Sequence, residues 1–150
     1  MEFLQPYDKI FSLLYVEDEP LARELLHKVI SRKFPAIKIH TAEDGKVGLE
    51  VFKRINPEIV LSDIDLPTLN GILMVSEIRN LNPNTEIIIV SGQVKTSNES
   101  AFVNIGISDY LEKPIRHEVL FGAIEDSLAR ITTSQKKQGR TLAKMKVADY

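Results

Sequence analysis

Two runs near the middle of the chain, EIVLS (58–62) and EIIIVS (86–91), are almost unbroken Ile, Val and Leu. A strand with one wet face alternates apolar and polar residues, whereas one apolar at nearly every position is covered on both faces. FSLLYV (11–16), IKIHTA (37–42) and SDYLE (108–112) read as three further strands. Helical stripes separate them. Leu21, Leu25, Leu26, Val29 and Ile30 form the first. Val47, Leu49, Val51 and Phe52 mark the second. Ile72, Val75, Ile78 and Leu81, with Met74 alongside, form the third. Ala101, Phe102 and Ile105 mark a shorter fourth, and Val119, Leu120, Ala123, Ile124, Leu128 and Ile131 a fifth.

Punctuation falls where these limits require it. Asn56-Pro57 and Asn82-Pro83 close the second and third helices, because the residue before proline is pushed out of the α region. Gly106 is placed to end the fourth. Five strand–helix units predict an α/β fold, a doubly wound five-stranded parallel sheet with right-handed crossovers. The functional crevice of such a sheet lies beyond the carboxyl ends of its strands.

Four of the five strands end in chemistry. Glu17 and Asp18 follow the first, Asp63 the third, Ser91 ends the fourth and Lys113 follows the fifth. At one sheet edge these groups surround a single carboxylate, Asp63, which can attack an electrophilic phosphorus and form an acyl phosphate. Carboxylates this close repel unless a cation neutralises them. Mg2+ suits an all-oxygen site shared with a phosphate. The Ser91 hydroxyl can donate to a phosphoryl oxygen, and the Lys113 ammonium can offset its charge. Pro114 restricts the bond that aims Lys113. Each residue has a plainer alternative: Asp63 as a turn or cap, Glu17 to Glu19 as acids favouring a helix N-terminus, Ser91 as a turn residue before Gly92, Lys113 as surface charge, Tyr110 as a half-buried edge ring.

Bulk properties set bounds. The chain has 150 residues, enough for one core, with 43% hydrophobic and 27% charged residues. A net charge of −2 gives no global case for nucleic-acid binding. The absence of cysteine excludes disulfides and thiolate metal sites and fits a cytoplasmic location. No apolar run reaches membrane-spanning length, and MEFLQPYDKI lacks the pattern of a signal peptide. After Thr133 the composition changes: SQKKQGRTLAKMKVADY has five basic residues and one acidic, a net +4. The expected organisation is a domain over 1–133 and a basic tail or linker stub over 134–150, either disordered or a polar extension of the last helix.

Taken in order, these motifs resemble a receiver domain of a two-component response regulator, of the chemotaxis-regulator kind, over roughly residues 10–131. The resemblance rests on Glu17-Asp18, on Asp63 with Pro67 and Gly71 in D-x-x-x-P-x-x-x-G, on Ser91 and on Lys113-Pro114. It implies a (βα)5 flavodoxin-like fold with strand order 2-1-3-4-5. It further implies phosphorylation of Asp63 by a histidine kinase or phosphotransfer protein, with Asp18, Asp63 and the main-chain carbonyl of Asp65 as Mg2+ ligands and Glu17 acting through water. Ser91 and Tyr110 match the family's switch pair. That switch would act on the face made by the fourth helix, fifth strand and fifth helix, read by an output domain or protein, or by a second copy in a homodimer. Neither direct nucleic-acid binding nor membrane association is implied. Ile107 replaces the small residue usual after Gly106, and Asp65 and Gln93 are expected to line the path of water attacking the acyl phosphate.

A second reading is a phosphatase of the haloacid dehalogenase type, since Asp63-Ile64-Asp65 resembles that family's D-x-D. There the D-x-D lies on the first strand and the acidic pair comes last; here the acidic pair comes first. A third is a phosphorylation-independent module of the same fold, disfavoured by the complete acidic and lysine set.

Overall fold

The computed structural model describes the backbone of residues 10–92 and 99–148, and the side chains of residues 10–92 and 102–135. Five strands and five helices alternate: β1 Phe11–Val16, α1 Pro20–Lys33, β2 Ile37–Ala42, α2 Gly45–Ile55, β3 Ile59–Asp63, α3 Gly71–Leu81, β4 Glu86–Ser91, α4 Glu99–Ile105, β5 Asp109–Glu112 and α5 His117–Ala148. All neighbouring strands pair in parallel, in the order β2-β1-β3-β4-β5. This is the (βα)5 flavodoxin-like arrangement.

The near-continuous apolar runs are explained by the pleat. Leu13, Tyr15, Ile59, Leu61, Ile88, Val90 and Leu111 point to one face, against Leu26 and Ile30 of α1 and Leu120, Ala123 and Ile124 of α5. Leu14, Val16, Val60, Ile87 and Ile89 point to the other, against Val51 and Phe52 of α2, Met74, Val75 and Ile78 of α3 and Ile105 of α4. A residue on either face is buried, so the middles of β3 and β4 are apolar. Polar residues stand at the strand ends: Glu86 opens β4, and the buried Ser62, beside Asp63, donates its hydroxyl to the Asp63 carbonyl (2.8 Å).

Helix ends follow the sequence signals. Asn56 caps α2 in the left-handed region at φ 44°, Asn82 ends α3 in an extended conformation, and Gly106 follows α4 at φ 78°. The first stripe is narrower than its spacing suggests. Leu26 and Ile30 are buried, but Leu21 and Leu25 are 75% and 60% exposed. The row through Leu21 and Leu25 is turned away from the sheet, although Leu25 also borders a cavity beside Asp63. Leu81, in the last turn of α3, is likewise exposed.

Arg79 joins two helix ends. Its Nε donates to the Ile105 carbonyl (2.9 Å), one Nη to Gly106 (2.8 Å), and the other to Asn82 (3.2 Å) and Pro83 (2.8 Å). These carbonyls are orphans at the ends of α3 and α4. Arg79→Ala is expected to lower unfolding free energy by about 2 kcal/mol, from several charge-assisted bonds partly replaced by water. Urea denaturation checks this, and an unchanged midpoint would make the clamp incidental.

The segment after Thr133 continues α5 without a break to Ala148.

Candidate functional site

The β1–β3 register pairs Val16 with Ser62, and the β3–β4 register pairs Asp63 with Val90. Glu17 therefore emerges beside Asp63 at the carboxyl edge of the two central strands. The ladder runs past the strand ends: Glu17 N–H donates to the Ala42 carbonyl (3.0 Å), Ile64 N–H to Val90 (3.1 Å) and Lys113 N–H to Ser91 (2.8 Å). These bonds hold the first residues of three loops in strand register, and so fix where their side chains start.

Glu17 is 3% exposed and Asp63 6%, while Asp18 is exposed. Carboxylate oxygens of all three lie within 4.8 Å of one another. Lys113 Nζ donates to Asp63 Oδ2 and lies 3.5 Å from Glu17 Oε1. Asp63 Oδ1 accepts from Asp65 N–H at 3.0 Å. The Lys113-Pro114 bond is cis.

The acidic run after β1 is thus divided. Glu19 caps α1, accepting from the N–H groups of Leu21 (3.2 Å) and Ala22 (2.6 Å). The expected helix-terminus role belongs to this residue, while Glu17 turns inward.

Burial raises Glu17 from its ordinary 4.5 to about 7, helped by a hydrogen bond to Asp63 and opposed by the Lys113 charge. For Lys113, desolvation pulls downward, but the hydrogen bond and charges of Asp63 and Glu17 outweigh it and hold the ammonium above its usual range. Glu17 Oε2 is buried with no hydrogen-bond partner. An orphaned carboxylate oxygen, in an all-oxygen cluster of three acids, fits a hard divalent cation such as Mg2+.

Ser91 is buried at the end of β4. Tyr110 is half-buried on β5, its ring 5.5 Å from that of Phe102 of α4. Ile107 packs with the same cluster. The Asp65 carboxylate is exposed and stands outside the three-acid group, so among the described residues Asp65 meets the site through its backbone. Gln93 lies outside the described residues.

Three features were missed in the sequence. A Cβ on Gly71 would stand 2.5 Å from the Asp63 carbonyl oxygen and 2.6 Å from that of Ile64, so the α3 N-terminus can approach the end of β3 only with glycine there. A Cβ on Gly45 would meet the Leu69 carbonyl oxygen at 1.9 Å, locking the β3–α3 loop against α2. Gly71 stood in a motif without this reason, and Gly45 carried no signal. Third, a cavity of about 250 Å3 opens beside Asp63 and Lys113, lined by Tyr15, Leu25, Leu26 and Ile115 among others. Burial, then the Glu17 and Asp63 charges, raise the Tyr15 phenol well above its ordinary range and keep it neutral.

The family model for the response regulator receiver domain matches residues 13–125. The transcriptional regulatory protein HptR of Staphylococcus aureus is 31% identical over 138 residues, covering 89% of this chain and 53% of that protein. The transcriptional regulatory protein GlrR of Escherichia coli is 27% identical over 128 residues, covering 85% of this chain and 28% of the relative. The chain thus spans about half or less of the length of these relatives. Among solved structures, a CheY-like response regulator receiver domain protein from Methanospirillum hungatei superimposes with a TM-score of 0.78 at 21% identity, over 84% of this chain and 99% of that one. The N-terminal domain of an uncharacterised protein from Wolinella succinogenes gives 0.75 at 29% identity, over 83% and 98%.

The haloacid dehalogenase alternative gains no support: the matched family is another one, and the second Asp of its D-x-D lies outside the cluster. The matched family and the acidic cluster are those of a response regulator receiver domain. Among the described residues no helix is long and apolar enough to cross a membrane. By its matched family, sheet order and acidic cluster, this chain belongs to the CheY-like response regulator receiver domains of two-component signalling.

Proposed function

We propose that Asp63 accepts a phosphoryl group from the phosphohistidine of a histidine kinase or phosphotransfer protein. The observation that carries this is the pairing of a buried Asp63 with Lys113 inside a three-carboxylate cluster. Lys113 donates to one Asp63 oxygen, and the Asp65 N–H orients the other. One Asp63 oxygen forms the bond to phosphorus as the phosphorus–nitrogen bond of the donor breaks, and the leaving imidazole keeps that electron pair and takes a proton. Lys113 then shifts from the carboxylate to a phosphoryl oxygen, where it offsets charge. Glu17, Asp18, Asp63 and the Asp65 carbonyl would hold Mg2+, which when bound neutralises charge on the phosphoryl oxygens.

The Ser91 hydroxyl donates to the phosphoryl group and Tyr110 turns inward, repacking the α4-β5-α5 face for an output domain, a protein or a second copy. Such a shift needs contacts that differ between the two states. The Ile107 side chain crowds that movement. Asp65 and Gln93 tune hydrolysis of the acyl phosphate, read as phosphoprotein decay once the donor is removed. Residues 1–133 form the receiver, 134–150 extend from it, and the setting is cytoplasmic.

Incubation with acetyl phosphate and Mg2+ is expected to add one phosphoryl group by intact mass, and EDTA to prevent it. Steady turnover of p-nitrophenyl phosphate would instead indicate a phosphatase.

The raised Glu17 pKa gives a further expected result. The folded state binds this proton more tightly than the unfolded chain. Its contribution to stability is therefore full below about 4.5 and is lost as pH rises through about 7. A bound cation needs the ionised form. Mg2+ affinity should rise through pH 7, and saturating Mg2+ should remove the fall in stability across that window. Thermal melts from pH 5 to 8 with and without Mg2+ check this; parallel curves would reject the assignment of Glu17.

A further inference from the structure

A second cleft lies at the edge of the sheet opposite Asp63. The β3–β4 register pairs Ile59 with Glu86 at one end and Asp63 with Val90 at the other. Beyond the first pair, between α5 and the loops that enter β3, β4 and β5, is an open cleft of about 1040 Å3. None of Glu17, Asp63, Ser91, Tyr110 and Lys113 lines it.

Thr85 points to a ligand there. It is 2% exposed, it lines the cleft, and its Oγ1 has no hydrogen-bond partner among the described residues. A buried hydroxyl left unpaired costs stability, and valine would fill the same space without that cost. A polar molecule in the cleft would supply the missing partner.

The charges select its chemistry. Helices α2, α3 and α4 all end at the cleft, at Asn56, Asn82 and Gly106. Their last carbonyls make this edge electronegative. Arg79 is spent on the carbonyls of α3 and α4. Two carboxylates and one guanidinium remain. Glu58 and Glu86 stand side by side, the Glu86 N–H donating to the Glu58 carbonyl at 3.0 Å. Arg130 of α5 donates from Nε to Glu86 Oε1 at 2.6 Å and is half exposed. A carboxylate and a guanidinium each make several bonds, so this pair keeps capacity for a ligand.

A molecule with one ammonium and one carboxylate matches this arrangement. The ammonium is placed toward Glu58, Glu86 and the helix ends, and the carboxylate toward Arg130. A nucleotide brings too much negative charge for two acids and three helix C-termini, and a polyamine brings nothing for Arg130. Pro83, Ile105 and Ile131 add an apolar wall beside the charged groups.

We propose that this cleft binds a free α-amino acid with an apolar side chain, its charged head group bonded to the Thr85 hydroxyl. This goes beyond the phosphoryl chemistry and does not depend on it. So small a ligand in an open cleft binds weakly, with a Kd on the order of 1 mM.

Leucine is the probe, titrated into the full chain without Mg2+ or phosphodonor and followed by the amide resonances of Thr85, Glu86 and Ser108. Saturable shifts are expected. N-acetyl-leucine, which lacks the ammonium, and leucinamide, which lacks the carboxylate, should each bind at least about tenfold more weakly. Arg130→Gln should weaken leucine binding by a similar factor. Thr85→Val should weaken it about tenfold and yet raise the melting temperature of the free protein, because it removes an unpaired hydroxyl. A loss of binding with a gain in stability separates a ligand contact from a packing role. No saturable shift up to about 20 mM leucine, analogues that bind as well as leucine, or a Thr85→Val variant that binds like the parent would overturn the site. None of these results bears on Asp63.

Discussion

Asp63→Asn is expected to abolish phosphoryl uptake while leaving the fold intact. The amide is nearly isosteric but neutral, and its oxygen is too weak a nucleophile to attack phosphorus. The substitution removes one charge from three carboxylates whose oxygens lie within 4.8 Å. Lower repulsion offsets the lost ion pair with Lys113, which still has Glu17 Oε1 at 3.5 Å. The melting temperature should therefore move by only a few degrees, the shift of a change on the order of 1 kcal/mol. Mg2+ affinity should fall on the order of tenfold, with one fewer carboxylate. Intact mass after acetyl phosphate treatment gives the first readout and Mg2+ titration the second. A variant that still gains one phosphoryl group would move the acceptor elsewhere and remove the basis for the proposed function.

Lys113→Ala separates the roles of ammonium and metal cluster. The ammonium pairs with both buried acids and lowers the Glu17 pKa against the effect of burial. Without it, Glu17 should hold its proton to still higher pH in the absence of metal. The three carboxylates remain, so Mg2+ binding above pH 8 should persist. Phosphorylation should slow by roughly 100-fold, the usual scale for losing one preorganised group at developing charge. The rate of labelling, compared at saturating Mg2+, is the measurement. Labelling at the parent rate would reduce Lys113 to a counter-ion of the resting state.

Both expectations rest on residues named from the sequence, and the reason is visible in β3 and β4. A strand buried on both faces has no use for polarity until it ends, so the first acid after IVLS and the first hydroxyl after IIIV mark the sheet edge. The spacing of Pro67 and Gly71 after Asp63 supplied the rest. Other features gave no such contrast. Leu21 and Leu25 share helical spacing with Leu26 and Ile30, yet only the latter pair is buried. Which row faces the sheet depends on how α1 leaves Glu19, and periodicity does not record that angle. The Arg79 clamp joins residues 26 and 27 positions apart, and an arginine in a helical stripe carries no mark of its distant acceptors.

The sequence by itself determined the five strand–helix units and the residues standing at their edge, because apolar periodicity and helix punctuation are local properties of the chain. The tertiary structure decided what those residues became. Strand register set Glu17 beside Asp63 and Lys113 between them, dividing the acidic run into one cap, one exposed acid and one buried acid held near neutral pH. Charge and pKa depend on distance and burial, and both are created only when strands far apart in sequence come to lie side by side.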